Sequence, residues 1–346
     1  MKRRFVALGL LAVGALLFSS CAAATASEAA TAPTSINVGY FPNLTHAPAI
    51  VGLADGQFAD ALGDATTIKT ATFNSGTEEI EALFAGAIDI GFIGPSPTVT
   101  GWEKSNGAAL RVIAGTASGG ASLVVRDGID TPADLDGTVI ATPSLGNTQD
   151  VAARYWLSEQ GFATDTSGGG DVSIQPQDNA TALTALETGD VDGAWVPEPW
   201  ATRMVSEAGA HVLVDETDLW PDGAFVTTNV IVRTEFLEQH PDTVAAFLGG
   251  LVDAIDAIQS DPASAQATVA AQIGAITGST PDAEELTSAW DKVSFTWDPL
   301  PKTLIEQASH AKATGLLDDV DLEGLYDLGP LNSVLAARDL PQIDQP

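Results

Sequence analysis

Apolar positions along the chain follow two periods. Ile36 to Tyr40, Thr67 to Phe73, Ile88 to Ile93, Leu110 to Thr116 and Val191 to Val196 are short apolar or alternating runs, the length of single strands. Between them lie segments whose apolar residues stand three and four apart, as Ile80, Leu83 and Phe84 do, and these predict helices. The stretch Phe73 to Pro97 (FNSGTEEIEALFAGAIDIGFIGPSP) holds one whole unit. It reads as strand end, glycine turn, helix, buried strand and a Gly94-Pro95-Ser96-Pro97 loop. Ser75 with Glu78 three residues on fits a capping box.

The same design returns downstream. A strand over 137–142 leads through Pro143-Ser144-Leu145-Gly146-Asn147-Thr148 into a helix over 149–159. A strand over 172–176 leads into a helix over 180–188. LETGDVDGAWVPEP echoes LFAGAIDIGFIGPSP, a weak internal symmetry that suggests two similar α/β lobes. The regular alternation argues mixed, largely parallel sheets. Further strands are read at 122–126, 211–215 and 225–233, a helix at 47–58, and mainly helices from Pro241 onward. In open sheets of this kind, ligands bind beyond the carboxyl ends of the strands.

The first residues have a different pattern. Lys2, Arg3 and Arg4 precede an apolar run, Phe5 to Phe18, and then Ser19-Ser20-Cys21. We read 1–21 as a lipoprotein-type signal peptide with Cys21 as the lipidated residue and new N-terminus. Phe18 departs from the usual Leu, Val or Ile three before the cysteine, and the rival is a secretory signal cut among the alanines at 22–24. Residues 22–35 (AAATASEAATAPTS) read as a flexible tether of small and polar residues. The longest later apolar stretch, Val244 to Ile258, is interrupted by Gly249-Gly250, Asp253 and Asp256, which argues against a membrane span.

Charge and cysteine content narrow the function classes. The chain has 14 Lys and Arg against 46 Asp and Glu, and three of those cations lie in the signal segment. The remainder, at a net −35, excludes general binding to nucleic acid or anionic lipid. The single cysteine is Cys21, so disulfides and thiol catalysis are not expected. The four histidines lack metal-ligand spacing, and no metal or cofactor is expected.

GYFPNLTHAPA, FNSGTEEIEALFAGAIDIGFIG, TPADLDG and DVDGAWVPEPW together resemble the solute-binding proteins of ABC importers for aliphatic sulfonates, nitrate and taurine. The resemblance runs from about Ile36 to Leu335. It implies an α/β, two-lobed periplasmic-binding-protein-like (type II) fold with two crossover strands and a helical C-terminal part. On that frame lobe I is expected over 36–121, lobe II over 122–226, and a return to lobe I with C-terminal helices over 227–346. The resemblance also implies a small anionic ligand, an ABC permease and ATPase as partners, and a lipid-anchored monomer on the outer side of the membrane.

Helix N-termini offer unbonded N–H groups and about half a positive charge, enough to hold an oxyanion without lysine or arginine. Ser75, Gly76 and Thr77 are expected to contribute from lobe I, and Gly146, Asn147 and Thr148 from lobe II. Asn43, Thr45 and His46 add donors from the first loop, although His46 is also a plausible cap or surface residue. Ser96 is held between two prolines. Trp195 either covers an apolar part of the ligand or is core. Glu198 faces solvent, salt-bridges the other lobe, or receives an amine as in taurine. Gly119 is expected among the ligand-binding residues, in the Ser118 to Ser122 segment, which with Thr227-Thr228-Asn229 is expected near the hinge crossings. Rival readings are a binder of a thiamine-precursor pyrimidine, a pyrimidine-synthase-like enzyme, and a lipid-anchored sensor or adhesion module. No Ser-His-Asp spacing, phosphate loop or metal cluster supports catalysis.

Overall fold

The computed structural model describes residues 33–346. The expected signal segment, the lipidation site at Cys21 and the tether as far as residue 32 lie outside the described residues. The tether's last positions differ from expectation. Thr66 Oγ1 donates to the Pro33 carbonyl, the Thr67 amide donates to the Thr34 carbonyl, and Ser35 already belongs to the first strand.

The chain begins with β1 (Ser35–Tyr40), α1 (Ala47–Ala54), α2 (Gln57–Leu62), β2 (Thr67–Thr72), α3 (Gly76–Phe84), β3 (Ile90–Ile93), α4 (Pro95–Lys104) and β4 (Leu110–Gly119). It crosses into a second sheet with β5 (Ala121–Val125), β6 (Val139–Thr142), α5 (Thr148–Glu159), β7 (Ser173–Pro176), α6 (Asn179–Thr188), β8 (Gly193–Pro197), α7 (Trp200–Glu207) and β9 (His211–Asp215). It returns through β10 (Val226–Arg233), α8 (Thr234–Gln239), α9 (Pro241–Ser260), α10 (Pro262–Thr277), α11 (Ala283–Trp290), β11 (Val293–Phe295), α12 (Pro301–Ala313) and α13 (Gly329–Ala337).

The first sheet has the order β11-β4-β10-β3-β1-β2 and the second β7-β6-β8-β5-β9. Strands β2, β1 and β3 run parallel, as do β7, β6 and β8, while the strands at the crossings pair antiparallel. The expected two-lobed α/β architecture is therefore observed. The chain leaves the first sheet at Gly119-Gly120. Both residues have left-handed backbones (φ 76° and 71°), and a Cβ on either would press against Lys292 or Val293.

Each sheet is covered on both faces. In lobe I, Phe247 of α9 stacks on Phe58 with ring centroids 4.2 Å apart, and Phe92 of β3 tilts against both. Helix α9 is long and apolar enough to cross a membrane, but Val244, Phe247, Leu248, Leu251 and Ile255 are all buried in this core. The other face of the sheet buries Ile80, Leu83, Trp102 and Leu304.

Two expectations of local structure change. The helix predicted over 47–58 breaks at Gly56, whose φ of 91° is left-handed, and becomes α1 and α2. The C-terminal part is not wholly helical: Val293 and Phe295 turn inward and Ser294 outward, so β11 adds a short strand beside β4.

Candidate functional site: an interlobe cleft

Most loops that follow parallel strands meet at one place. Phe41, Asn43, Thr45 and His46 come after β1, Asn74 after β2 and Gly94 after β3. From lobe II come Pro143, Asn147, Thr148 and Gln149 after β6, Asn179 after β7 and Pro197 at the end of β8. With Thr227 they enclose a cavity of about 20 Å³, and the lining contains no lysine, arginine or carboxylate. A larger cavity of about 320 Å³ shares Phe41, Asn43, Asn74 and Asn179 with it and adds Phe73, Asp178, Trp200 and Ile276. The inner volume is near the minimum for one water, so a solute larger than that enters only when the lobes part.

Helix starts define the chemistry of this cavity. Ser75 Oγ caps α3 by accepting from the Glu78 amide at 3.4 Å, which leaves Gly76 and Thr77 as the uncapped amides. The expected Gly94 to Pro97 loop is instead the first turn of α4. Proline is acceptable there because first-turn N–H groups have no intrahelical partner. Pro95 and Pro97 also remove two of those donors, leaving Ser96, whose buried Oγ has no partner. In lobe II, Thr148 and Gln149 open α5 and line the cavity. Thr148 Oγ1 has no partner and lies against Gly94, where a Cβ would collide with it. Asn179, at the first position of α6, has an unpartnered Oδ1, and the nearby Ser144 Oγ and Gln177 Nε2 are likewise buried and unpartnered.

Two buried acids near these helix starts are accommodated differently, while Glu78 of α3 and Asp178, the cap of α6, are exposed. Glu79, in the first turns of α3, is fully buried, and burial pushes its carboxyl well above the usual range, opposed only in part by the Phe92 backbone beside it. Asp150, in the first turn of α5, is also fully buried. It accepts from Arg154 Nε at 3.0 Å, Thr142 Oγ1 at 2.8 Å and the Gly146 amide at 2.9 Å. Neither arrangement leaves an uncompensated negative charge beneath the cavity.

His46 lines the cavity but is not a free donor. Its Nε2 donates to the Phe92 carbonyl at 3.1 Å, so Nδ1 is the acceptor for Thr45 Oγ1 at 3.2 Å. Burial lowers its pKa to about 3, which keeps the ring neutral, and the ring stacks on Phe41 at 4.8 Å.

The structure thus brings Asn43, Thr45, His46, Asn147 and Thr148 to one cavity. Gly76 lies at its edge, packed so that a Cβ would hit Pro97 and come 3.6 Å from Asn147 Oδ1. Other expected residues lie elsewhere. Thr77 is exposed, and Ser75 is engaged as a cap. Gly146 donates its amide to Asp150, which removes it as a ligand donor. Gly119 belongs to the crossing, where its carbonyl accepts from Thr227 Oγ1 at 2.6 Å.

For two residues the structure decides between the alternatives left open, and in neither case for ligand contact. Trp195 is fully buried in the lobe II core, edge-on to Trp156, and its Nε1 donates to Glu216 at 2.8 Å, so it cannot cover a ligand. Glu198 is fully buried and pairs with Lys292 Nζ at 2.8 Å, while accepting from the Thr202 amide and hydroxyl. Lys292 precedes β11 of lobe I, so of the three roles considered for Glu198 the structure selects the interlobe salt bridge. The Leu44 amide donates to the Glu198 carbonyl at 3.1 Å, and Trp200 Nε1 donates to Asn43 Oδ1 at 2.9 Å, further ties between the lobes.

Sequence reasoning did not single out Asn74, Gln149, Asn179, Trp200 or Lys292. Asn179 had a signal: Gln177-Asp178-Asn179 is a third polar turn between a strand and a helix. Lys292 had none, since it approaches Glu198 only through the late return of β11.

Sequence and fold similarity place the chain among known proteins. A profile of the NMT1-like family matches residues 29–274. The chain belongs to the NMT1-like family. Among relatives, the taurine-binding periplasmic protein of Escherichia coli strain K12 is 30% identical over 223 residues, 64% of this chain and 66% of that protein. A putative aliphatic sulfonates-binding protein of Bacillus subtilis strain 168 is 28% identical, over 69% of this chain and 70% of that one. The chain's match spans 58% of the length of a putative binding protein from Brucella abortus, so the relatives extend beyond the aligned part. Among solved structures, the alkanesulfonate-binding protein SsuA of Xanthomonas axonopodis pv. citri, bound to MOPS, aligns with a TM-score of 0.68 at 20% identity. It covers 84% of this chain and 96% of that one. The periplasmic nitrate-binding protein NrtA of Synechocystis aligns at 0.75 with 14% identity, over 89% and 90%. These structures share the fold of this NMT1-like chain.

Proposed function

We propose that this protein is the extracytoplasmic solute-binding component of an ABC importer, and that it captures a small sulfonate-type anion, an aliphatic sulfonate, between its lobes. The observation that carries the reading is the cleft lining: helix starts from both lobes converge, hydroxyl and amide groups are buried without partners, and no charged side chain is present. Such groups complement an oxyanion by hydrogen bonds and helix dipoles alone. Relatives named as taurine- and sulfonate-binding proteins support the same ligand class. The protein works as a monomer held at the membrane by lipid on Cys21, and passes its solute to a permease driven by an ATPase. Catalysis has no support from the cleft, which holds no paired acid and base.

Taurine is the second reading. Its amine would meet Asp178, the carboxylate that lines the adjoining 320 Å³ cavity, and not Glu198, which is engaged by Lys292. A thermal-shift and calorimetric panel of ethanesulfonate, longer alkanesulfonates, taurine, nitrate and thiamine-precursor pyrimidines tests both readings. The proposed ligand should stabilise the protein by about 2.7 kcal/mol at 100 times its dissociation constant. Asp178→Asn, which preserves the cap on α6, should weaken taurine alone if the amine meets that acid. No saturable response to any anion in the panel would refute the function.

A further inference from the structure

A second interlobe cavity, of about 320 Å³, lies away from the cleft between α5, the segment 216–220 and α12. Tyr155, Trp156 and Trp220 form its aromatic walls. The neutral His310 ring is part of the same lining, stacked on Tyr155 with centroids 3.6 Å apart and tilted against Trp220 at 5.6 Å, while Phe225 stacks on Trp220 at 5.6 Å. Glu159, Glu216 and Glu306 complete the lining, which contains no lysine or arginine. None of these residues is engaged in the anion cleft.

We propose that this cavity is a binding site for an organic cation, an alkylammonium or quaternary ammonium group. Aromatic faces attract a cation through their negative quadrupoles, and carboxylates at the rim add charge attraction. The pattern is the chemical opposite of the cleft, which has neutral donors and no carboxylate. Burial fixes the character of the two titratable groups inside. The His310 pKa is lowered to about 4, so the ring adds no positive charge at neutral pH. The Glu216 carboxyl, 2% exposed, is pushed up to about 7 by burial, so a cation alongside would hold it ionised. Glu306, on the exposed side of α12, and Glu159, at the end of α5, remain in contact with solvent at the entrance. The chain's net negative charge raises the local concentration of cations around it. The walls come from α5 and the 216–220 segment of lobe II and from α12, which also packs on α4 of lobe I, so one ligand would touch both lobes.

The inference is independent of the anion reading and is tested separately. Choline serves as probe, with 3,3-dimethylbutan-1-ol as its neutral isostere, followed by calorimetry and by tryptophan fluorescence from Trp156 and Trp220. Choline should bind saturably below about 10 mM, and the neutral isostere about tenfold more weakly. Glu306→Gln, at an exposed helical position that leaves folding intact, should weaken choline several-fold and leave the isostere and any sulfonate unchanged. Glu159→Gln should act in the same direction. Absence of saturable choline binding, equal affinity for the isostere, or unchanged affinity in both variants would overturn the proposal.

Discussion

The two lobes bring helix starts to the same cleft and equip them differently. In lobe I, α3 is capped by its own Ser75, and α4 begins with prolines that withhold two N–H groups. Around them, Phe41 and His46 form a stacked, neutral wall whose polar atoms are already bonded. In lobe II, α5 and α6 begin with Thr148 and Asn179, each with a side-chain oxygen still unpartnered. A hydroxyl can donate to an anion and an Oδ1 can only accept, so Thr148 of lobe II and Ser96 of lobe I are the unengaged hydroxyl donors at these helix starts. The acids behind the helix starts differ in the same spirit. Burial holds the Glu79 carboxyl well above its usual range, and Asp150 is paired with Arg154. The Asp150–Arg154 pair leaves the positive end of α5 uncancelled, whereas α6 carries the Asp178 carboxylate at its cap.

The largest test of this contrast is Arg154→Met. It strands Asp150 as a buried, unpaired charge and should cost about 3–5 kcal/mol in chemical denaturation. The double variant with Asp150→Asn should recover a large part of that loss. Equal cost in both variants would mean that packing, not charge, sets the effect.

Gly94→Ala comes next. Its Cβ would meet Thr148 Oγ1 across the cleft, and overpacking of about 1–3 kcal/mol against closure should weaken anion binding roughly 10–100-fold, read by calorimetry. Folding stability should change little, because only the interlobe contact is affected.

Thr148→Val and Ser96→Ala compare the lobes directly. Loss of a hydrogen bond to a charged ligand costs about 1.5–3 kcal/mol, so Thr148→Val should lower affinity by at least about tenfold. Ser96→Ala should cost less, since the prolines already limit what α4 contributes.

Glu79→Gln gives the smallest effect and one that depends on pH. The folded-state pKa of Glu79 lies well above the ordinary value of 4.5, so the wild type is most stable below that value. It loses stability as pH rises from 4.5 through the folded pKa. Glutamine removes this dependence, so the variant's stability relative to wild type should increase with pH in denaturation curves taken at acid and neutral pH. His46 works in the opposite sense. Its pKa is lowered to about 3, so its contribution is present above 6.5 and declines as pH falls towards 3. A flat difference between wild type and Glu79→Gln would contradict the raised pKa of Glu79.

Much of the fold could be read from the chain because each unit announces itself locally. Ser75 before an amphipathic helix, the run Ile88 to Ile93 and the repeated strand-turn-helix pattern depend on neighbours within a few residues. Asn43, Thr45, Asn147 and Thr148, proposed from the sequence because they lie in the turns after strands, do line one cavity. What failed depended on long-range partners. Trp195 reads from the sequence as the end of a strand, but β8 runs on to Pro197, and only the fold shows Glu216 and Trp156 holding the ring inside. Glu198 looked like a ligand group because Lys292, 94 positions later, is invisible to local pattern. Gly146 read as a donor, but the side chain that takes its amide is Asp150, one turn into the next helix.

The central claim is that an oxyanion is held between the lobes by helix starts and neutral side chains. A crystal structure of the protein grown with ethanesulfonate addresses it most directly. The account predicts sulfonate oxygens within hydrogen-bond distance of the Thr148 hydroxyl and of the Thr148 or Gln149 amide, facing Asn43 and Asn74 of the other lobe. A sulfonate bound outside this cleft, or held there by a lysine or arginine side chain, would contradict it.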